Sequence, residues 1–392
     1  NKLVIHARAA DGETAYVEFK MGVIGGEYPD TGTKSSELVN LSDEWSTIEI
    51  DLQGVDLSRI AGGFAILFND NNRKNTGTVY IDEIYYEFDT SRTEPLFLPS
   101  YEPVSPDKAG SFINSFSYSY DMAMTVLALA YAGKTEQAEI VTDALLFALE
   151  NDRKFSVTER GVRNGYASGS PVSFPGWYAE TGKAPFAKLA GTFDLAENIW
   201  KEDFYSDSHA TGNNAWVLLA FLKMYDTTRD HKYLDAAFRL ATYLQTLKDD
   251  VNGGFTGGWD GFDNAQTKAT YVSTEHNIDL YSAFMQLGNI VKKNDETVAE
   301  SYYAAAEHAK NFVFKMYHAE AGFFYTGTMN DGISINNTIY PLDANTWAIQ
   351  SFYNEPGFDA EKVMLYIENN FRDPASGFYK FSDKTPTGYW TE

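Results

Sequence analysis

The hydrophobic period of this chain changes near residue 115, from about 2 to about 3.6 residues. A period of two puts alternate side chains on one face of a sheet, and a period of 3.6 makes a stripe along a helix. The chain therefore has to build two different architectures. Before the change, residues 3–9, 15–20, 46–52 and 79–86 alternate and are rich in β-branched and aromatic side chains, and residues 63–68 read as a more fully buried strand. Asp11-Gly12, Gly25-Gly26 and Asn69-Asp70-Asn71-Asn72 carry turn chemistry between them. The expected organisation is an all-β sandwich over residues 1–90, an extended linker over 91–110 (Pro95, Pro99, Pro103, Pro106), and an all-α unit over 111–392.

Four helix pairs can be read after residue 115. The first helices follow polar clusters: Tyr118-Ser119-Tyr120-Asp121, Gly212-Asn213-Asn214-Ala215-Trp216, Glu275-His276-Asn277-Ile278 and Pro341-Leu342-Asp343-Ala344-Asn345. Their partners span 135–150, 232–247, 298–317 and 359–371. Most partners are followed by an aromatic-glycine turn, clearest at Gly253-Gly254-Phe255, Gly322-Phe323-Phe324-Tyr325 and Gly377-Phe378-Tyr379. Helical hairpins recurring every roughly 50–100 residues signal a repeat architecture. Alternating inner and outer helices would close into an α/α toroid, with the N-termini of the inner helices at one end. A polar group at the mouth of a buried helix is costly unless paired or used. Asp121, Asn214, Asn277 and Asp343 are thus expected around one shared polar cavity.

Composition narrows the chemistry. A net charge of −24 argues against nucleic acid, whose phosphates require a basic footprint, and disfavours polyanionic glycans. A neutral ligand fits best. With no cysteine, disulfides, thiolate metal sites and a cysteine nucleophile are excluded. No apolar run reaches the ~20 residues of a membrane helix. The first residue is Asn1, so the chain is read as processed, and a secreted or cell-surface location is expected. Aromatic residues at 15% favour sugar-ring stacking only weakly, because such rings also fill cores.

Two resemblances follow from particular residues. Trp45-x-x-Ile48-x-Ile50-Asp51-Leu52, then a Gly-rich strand and Val79-Tyr80-Ile81-Asp82-Glu83-Ile84-Tyr85-Tyr86-Glu87, resembles the jelly-roll, carbohydrate-binding-like modules attached to secreted polysaccharide hydrolases. The stretches Ser273–Tyr281 and Gly212–Trp216 resemble the six-hairpin glycosidase superfamily, (α/α)6 barrels of glycoside hydrolases, over roughly residues 110–392. Tyr389-Trp390-Thr391-Glu392 reads as the mouth of a further inner helix, so the ring is expected to be incomplete here or closed by a second piece of chain. The resemblance implies an endo-acting glycoside hydrolase on a neutral polysaccharide, a β-glucan, cleaved in an open cleft at the helix mouths.

Glycoside hydrolysis needs one protonated and one ionised carboxyl group across the scissile oxygen. The candidates are Asp121, Glu159, Glu180, Asp260, Asp263, Glu275, Asp279, Asp343 and Glu392. Glu275 is assigned as proton donor, Asp121 as the base that activates water in an inverting reaction, and Asp279 as their support. For Glu275 and Asp121 the plainer reading is capping of a helix N-terminus. Expected substrate contacts are Tyr120, Arg163, Tyr166, Trp177, Asn214, Trp216, Trp259, His276, Asn277, Tyr281, Asp343 and Trp347, with Tyr178, Phe262 and Trp390 as further stacking platforms. The rival assignments are a polysaccharide lyase, with His276 abstracting a proton from a uronate, and a non-catalytic glycan-binding protein. No cofactor is expected, and six scattered histidines offer no metal motif; a structural calcium in the β-sandwich stays open. The expected partner is a polysaccharide or oligosaccharide, and the sequence sets no oligomeric state.

Overall fold

In the computed structural model the chain forms two units, Asn1–Thr93 with Phe174–Ala184, and Glu94–Ser173 with Pro185–Glu392. The structure describes residues 1–25, 30–57, 60, 62–68, 77–87, 94–101, 115–173, 178, 185–194, 197 and 199–384.

The first unit is a sandwich of two antiparallel sheets. β1 (Lys2–Ala9), β2 (Ala15–Met21), β3 (Lys34–Ser35), β4 (Val39–Leu41), β5 (Ser46–Asp51), β6 (Ala65–Phe68) and β7 (Val79–Glu87) follow in order. One sheet runs β5-β1-β7; in the other, β2 pairs with β3, β4 and β6. Strand alternation builds the core: Leu3, Ile5, Ala7 and Ala9 of β1 face Ala15, Val17, Phe19 and Met21 of β2, all without solvent exposure. Each large apolar side chain buried this way contributes about 1.5–3 kcal/mol. β6 departs from expectation. Leu67 and Phe68 are 44% and 53% exposed, so this is an edge strand with an open end.

The second unit is built of α/α hairpins. α1 (Ser119–Tyr131) pairs with α2 (Thr135–Glu150). Two single turns, α3 (Val157–Arg160) and α4 (Phe204–Asp207), precede α5 (Thr211–Thr228), which pairs with α6 (His231–Gln245). α7 (Thr274–Val291) pairs with α8 (Glu296–Lys315), and α9 (Leu342–Phe352) with α10 (Ala360–Asn370). The first helices pack side by side in the order α1, α5, α7, α9. α5 is buried nearly all round, at 12 of its 18 residues, whereas α6 buries one stripe, as inner and outer helices should. Every strand pairing among the described residues is antiparallel.

The inner helices begin a few residues earlier than hydrophobicity indicates, because the polar clusters form their first turns. The four mouths share one hydrogen-bond register. The first helical N–H donates to a loop carbonyl: Ser119 to Asn164 (2.9 Å), Thr211 to Gly257, Thr274 to Thr326 and Leu342 to Phe381 (each 3.0 Å). Two residues before three of those carbonyls lie Val162, Phe255 and Phe324, and each is held by the asparagine at the fourth position of the next inner helix. Asn214 Oδ1 accepts from Val162 N–H (2.8 Å) while its Nδ2 donates to the Val162 carbonyl (3.0 Å) and to Ala210 (2.9 Å). Asn277 does the same to Phe255 (2.8 and 3.1 Å) and Ser273 (2.8 Å). Asn345 accepts from Phe324 N–H (2.9 Å) and donates to Pro341 (2.7 Å). Two of the aromatic-glycine turns, at Phe255 and Phe324, are the segments that Asn277 and Asn345 grip. Gly161 (φ 68°) has to be glycine, since a Cβ there would stand 2.2 Å from Asn214 Oδ1.

The stretch expected to be a linker is, over 94–101, part of the second unit. Phe97 is fully buried, pairs with Gly169 and stacks on Tyr166 at 5.0 Å. A fully apolar ring outweighs the extending tendency of the prolines beside it. The remainder of 91–110 lies outside the described residues, apart from 94–101.

Asn277→Ala would leave the Phe255 N–H and carbonyl buried without partners, and is expected to cost about 3 kcal/mol in unfolding free energy. The exposed Asn370→Ala should stay within about 0.5 kcal/mol of wild type. Urea unfolding followed by circular dichroism measures both, and equal effects would contradict this role for Asn277.

Candidate active site

Asp121 lies in the first turn of α1, whose N-cap is Tyr118, so it does not cap its helix. At α7 the cap is Ser273, whose hydroxyl accepts from His276 N–H, so Glu275 is not the N-cap of its helix. Both carboxylates act on one phenol. The Tyr205 hydroxyl is raised by desolvation and lowered by its bond to Asn213, and Glu275, Tyr101 and Asp121 all push it upward. Tyr271 is pushed up to about 12 by burial, then by Asp260, Tyr205 and Glu275. Tyr101 is raised by desolvation and by Asp121. Asp260, Tyr271, Glu275, Tyr205, Asp121 and Tyr101 thus influence one another electrostatically as an acidic and phenolic rim near the helix mouths. Asp260 itself is raised by burial, which favours its protonated form.

Behind the rim is an aromatic floor. Tyr120 meets Trp216 edge-on at 5.5 Å, and Trp216 meets Trp347 at 5.3 Å, joining α1, α5 and α9. The buried Trp216 indole N–H has no hydrogen-bond partner among the described residues. Trp259 lies under the Arg160 guanidinium at 3.5 Å, and Phe262 (43% exposed) meets Phe204 at 5.5 Å. Asp279 is buried at 3% exposure within α7. Asp343 occupies the same helix position as Glu275, and its Oδ1 accepts from Ala344 N–H.

Several expected substrate contacts are structural instead. Arg163 is 0% exposed; it grips Asp152 with two bonds (2.5 and 3.0 Å), Asp263 with one (2.5 Å) and the Asp207 carbonyl (3.2 Å), so no donor faces a ligand. Burial alone would raise Asp152, but Arg163 beside it holds the carboxyl at about 2. Tyr166 is buried, its hydroxyl accepting from Arg163 N–H. Asn214 and Asn277 are spent on the loop backbone as described. Tyr281 packs on Phe352 at 4.7 Å in the core between α7 and α9. Tyr178 is buried and falls in the stretch that clusters with the first unit. Asp263 serves Arg153 and Arg163, and Glu159 closes a capping box with Ser156. Trp177, Glu180, Trp390 and Glu392 lie outside the described residues.

His276 borders a cavity of about 360 Å³ lined by Tyr271, Val272, Ser273, Thr326, Thr328, Met329, Asn330 and Asn336. Burial lowers His276 to about 4, so it is neutral at physiological pH, and its Nδ1 has no partner among the described residues. Residue-by-residue reading missed Tyr101, Tyr205 and Tyr271. Tyr205 lies in a four-residue turn too short to show a period, and Tyr271 comes from a loop. Among the described residues there is no group of three His, Cys, Asp or Glu fit to hold a metal, and no helix long and apolar enough to cross a membrane.

No family model matches the chain, and no curated protein matches it in sequence. Solved structures do resemble it in backbone course. A D-mannose isomerase is 13% identical, with 68% of this chain and 63% of that one covered and a TM-score of 0.43. For a cellobiose 2-epimerase from Bacillus thermoamylovorans the figures are 15%, 70%, 67% and 0.46. For a rhamnosidase from Klebsiella oxytoca with rhamnose bound they are 11%, 94%, 69% and 0.46. The chain thus spans somewhat under two thirds of the isomerase's length.

His209 yields a pH test. It is fully buried beside Arg163, and burial lowers it to about 3 from an ordinary 6.5. Between those values the unfolded chain takes up a proton that the folded chain refuses. Its contribution is therefore whole above pH 6.5 and is lost as pH falls, by up to about 1.4 kcal/mol per unit. His209→Asn should remove that slope, so the stability of wild type relative to the variant falls between pH 7 and pH 4.5. Parallel urea-stability profiles for the two proteins would contradict it.

Proposed function

We propose that this protein hydrolyses glycosidic bonds of a neutral polysaccharide, with a β-glucan as the first substrate to test, at the mouths of its inner helices. The reading is supported by Glu275 and Asp121 standing in the first turns of two inner helices whose mouths share one register, and by both acids raising the Tyr205 phenol. Two carboxyl groups flanking one space are what glycosidic cleavage requires. Glu275 is the proton donor and Asp121 the base that activates water. Asp260, raised by burial, is the second acid able to deliver a proton. The edge-on rings of Tyr120, Trp216 and Trp347 give apolar surface for sugar faces.

The lyase alternative fares worse. Abstraction of a proton next to a uronate carboxylate needs a cation or amide to neutralise that group. Arg163 is committed to Asp152 and Asp263, and Arg160 to Trp259 and Gln266. The described lining of the cavity at His276 holds no charged residue and offers that group only the amides of Asn330 and Asn336.

The test is a reducing-end assay on neutral and uronate polysaccharides, with ultraviolet absorbance read for unsaturated products. New reducing ends on a neutral polymer, without absorbance, are expected. Glu275→Gln and Asp121→Asn should each lose at least ~100-fold in rate. If Asp260→Asn loses that much while Glu275→Gln retains near-wild-type turnover, the donor is Asp260. Unsaturated products from uronate polymers would overturn hydrolysis altogether.

A further inference from the structure

The cavity at His276 has a composition unusual for this chain. Overall 22% of residues are charged and the net charge is −24, yet its described lining holds hydroxyls, amides, one phenol and a methionine. Ser273, Thr326 and Thr328 supply hydroxyls, and Asn330 and Asn336 supply amides. Its volume, about 360 Å³, is at the lower end for small-molecule sites, which run about 300–1,000 Å³.

Backbone glycines seat the two rings that border it. A Cβ on Gly212 would stand 2.4 Å from His276 Cδ2, and a Cβ on Gly257 would stand 2.4 Å from Tyr271 Cζ. Both rings sit where only a bare backbone leaves room, with centroids 6.3 Å apart. A third glycine, Gly327 (φ 139°), lets the hairpin of Gly327–Thr328 and Ile335–Asn336 close on Val272, since a Cβ there would stand 2.1 Å from the Val272 carbonyl oxygen. That hairpin carries Thr328 and Asn336 to the cavity, and its loop carries Met329 and Asn330.

We propose that this cavity is a subsite for a single uncharged hexopyranose residue, with the Tyr271 ring as its apolar contact and the Asn330 amide and Asn336 Nδ2 as hydroxyl partners, Asn336 Oδ1 already accepting from Thr338. The inference rests on the functional reading above and narrows its substrate to a glycan with an unsubstituted neutral sugar at this position. A uronate would be excluded because its carboxylate would be desolvated against a described lining that holds no cation. An uncharged sugar has only hydroxyls to satisfy: Ser273 and Thr328, which accept from the His276 and Val272 N–H groups, keep an O–H to donate, and Thr326, which donates to the Ile339 carbonyl, keeps lone pairs to accept.

The test is calorimetric binding of methyl glycosides of glucose, mannose and galactose, beside glucuronate and galacturonate, to the intact protein. Saturable binding of at least one neutral glycoside and none of either uronate is expected. Tyr271→Ala should weaken the neutral sugar at least tenfold. Asn330 is exposed, so Asn330→Lys should fold normally, and the added cation should let glucuronate bind. Three results would each overturn the subsite: no saturable neutral binding, uronate binding as tight as neutral, or neutral binding that both variants leave unchanged. Binding is read without turnover, so failure here is distinct from failure of the hydrolase reading. A chain that binds the sugar but makes no reducing ends keeps the subsite and loses the reaction.

Discussion

Buried asparagines holding the backbone of a neighbouring loop are the constraint from which the helical unit follows. Asn214, Asn277 and Asn345 each sit one turn into an inner helix and accept a hydrogen bond from the loop that follows an outer element. A loop at this depth would otherwise strand its N–H and carbonyl groups away from water, at about 1–3 kcal/mol each. The side-chain amide solves this because it donates and accepts at once, which an ionised carboxylate does not. One residue type therefore fixes the register between successive hairpins. It also sets the height at which the next helix mouth, and whatever chemistry it carries, is presented.

That height determines the site. With the mouths in common register, the second and third helical positions carry Tyr120 and Asp121, Gly212 and Asn213, Glu275 and His276, and Asp343 and Ala344. The sixth position places Trp216, Asp279 and Trp347 at one level, and two of these meet across the inner face. Acids and phenols thus form a rim while indoles form a floor. Gly212 in α5 is the vacancy that His276 of α7 fills, so the repeat is complementary as well as repetitive.

Charge is handled differently below the rim. Arg163 and Arg153 are buried or nearly so among Asp152, Glu202, Asp207 and Asp263. Among the described residues Asp207 finds no hydrogen bond for either carboxylate oxygen; burial pushes it up to about 8, with Arg163 opposing and Glu202 and Asp263 adding. Removing one member of such a network leaves an uncompensated charge, which typically costs 3–5 kcal/mol, or roughly that order. The arginines that looked available to a ligand are held by these acids.

The change of hydrophobic period near residue 115 was enough to divide strands from helical hairpins, because local periodicity records which face is buried. The aromatic-glycine turns and polar mouths were legible too, since glycine and polar residues in those places answer local backbone demands. Which polar residue faces the cavity was not legible. Asn214 and Asn277 looked like ligands, and Arg163 like a sugar donor, because sequence shows the type of a side chain and not its partner. Tyr205 and Tyr271 were silent, because they come from a short turn and a loop without period, brought beside Asp121 and Glu275 only by the packing of separate hairpins. The sequence by itself determined the classes of structure and the repeat. Tertiary packing alone decided which polar groups are consumed by the backbone and which are left for chemistry, because hydrogen-bond partners far apart in the chain are chosen by shape and burial.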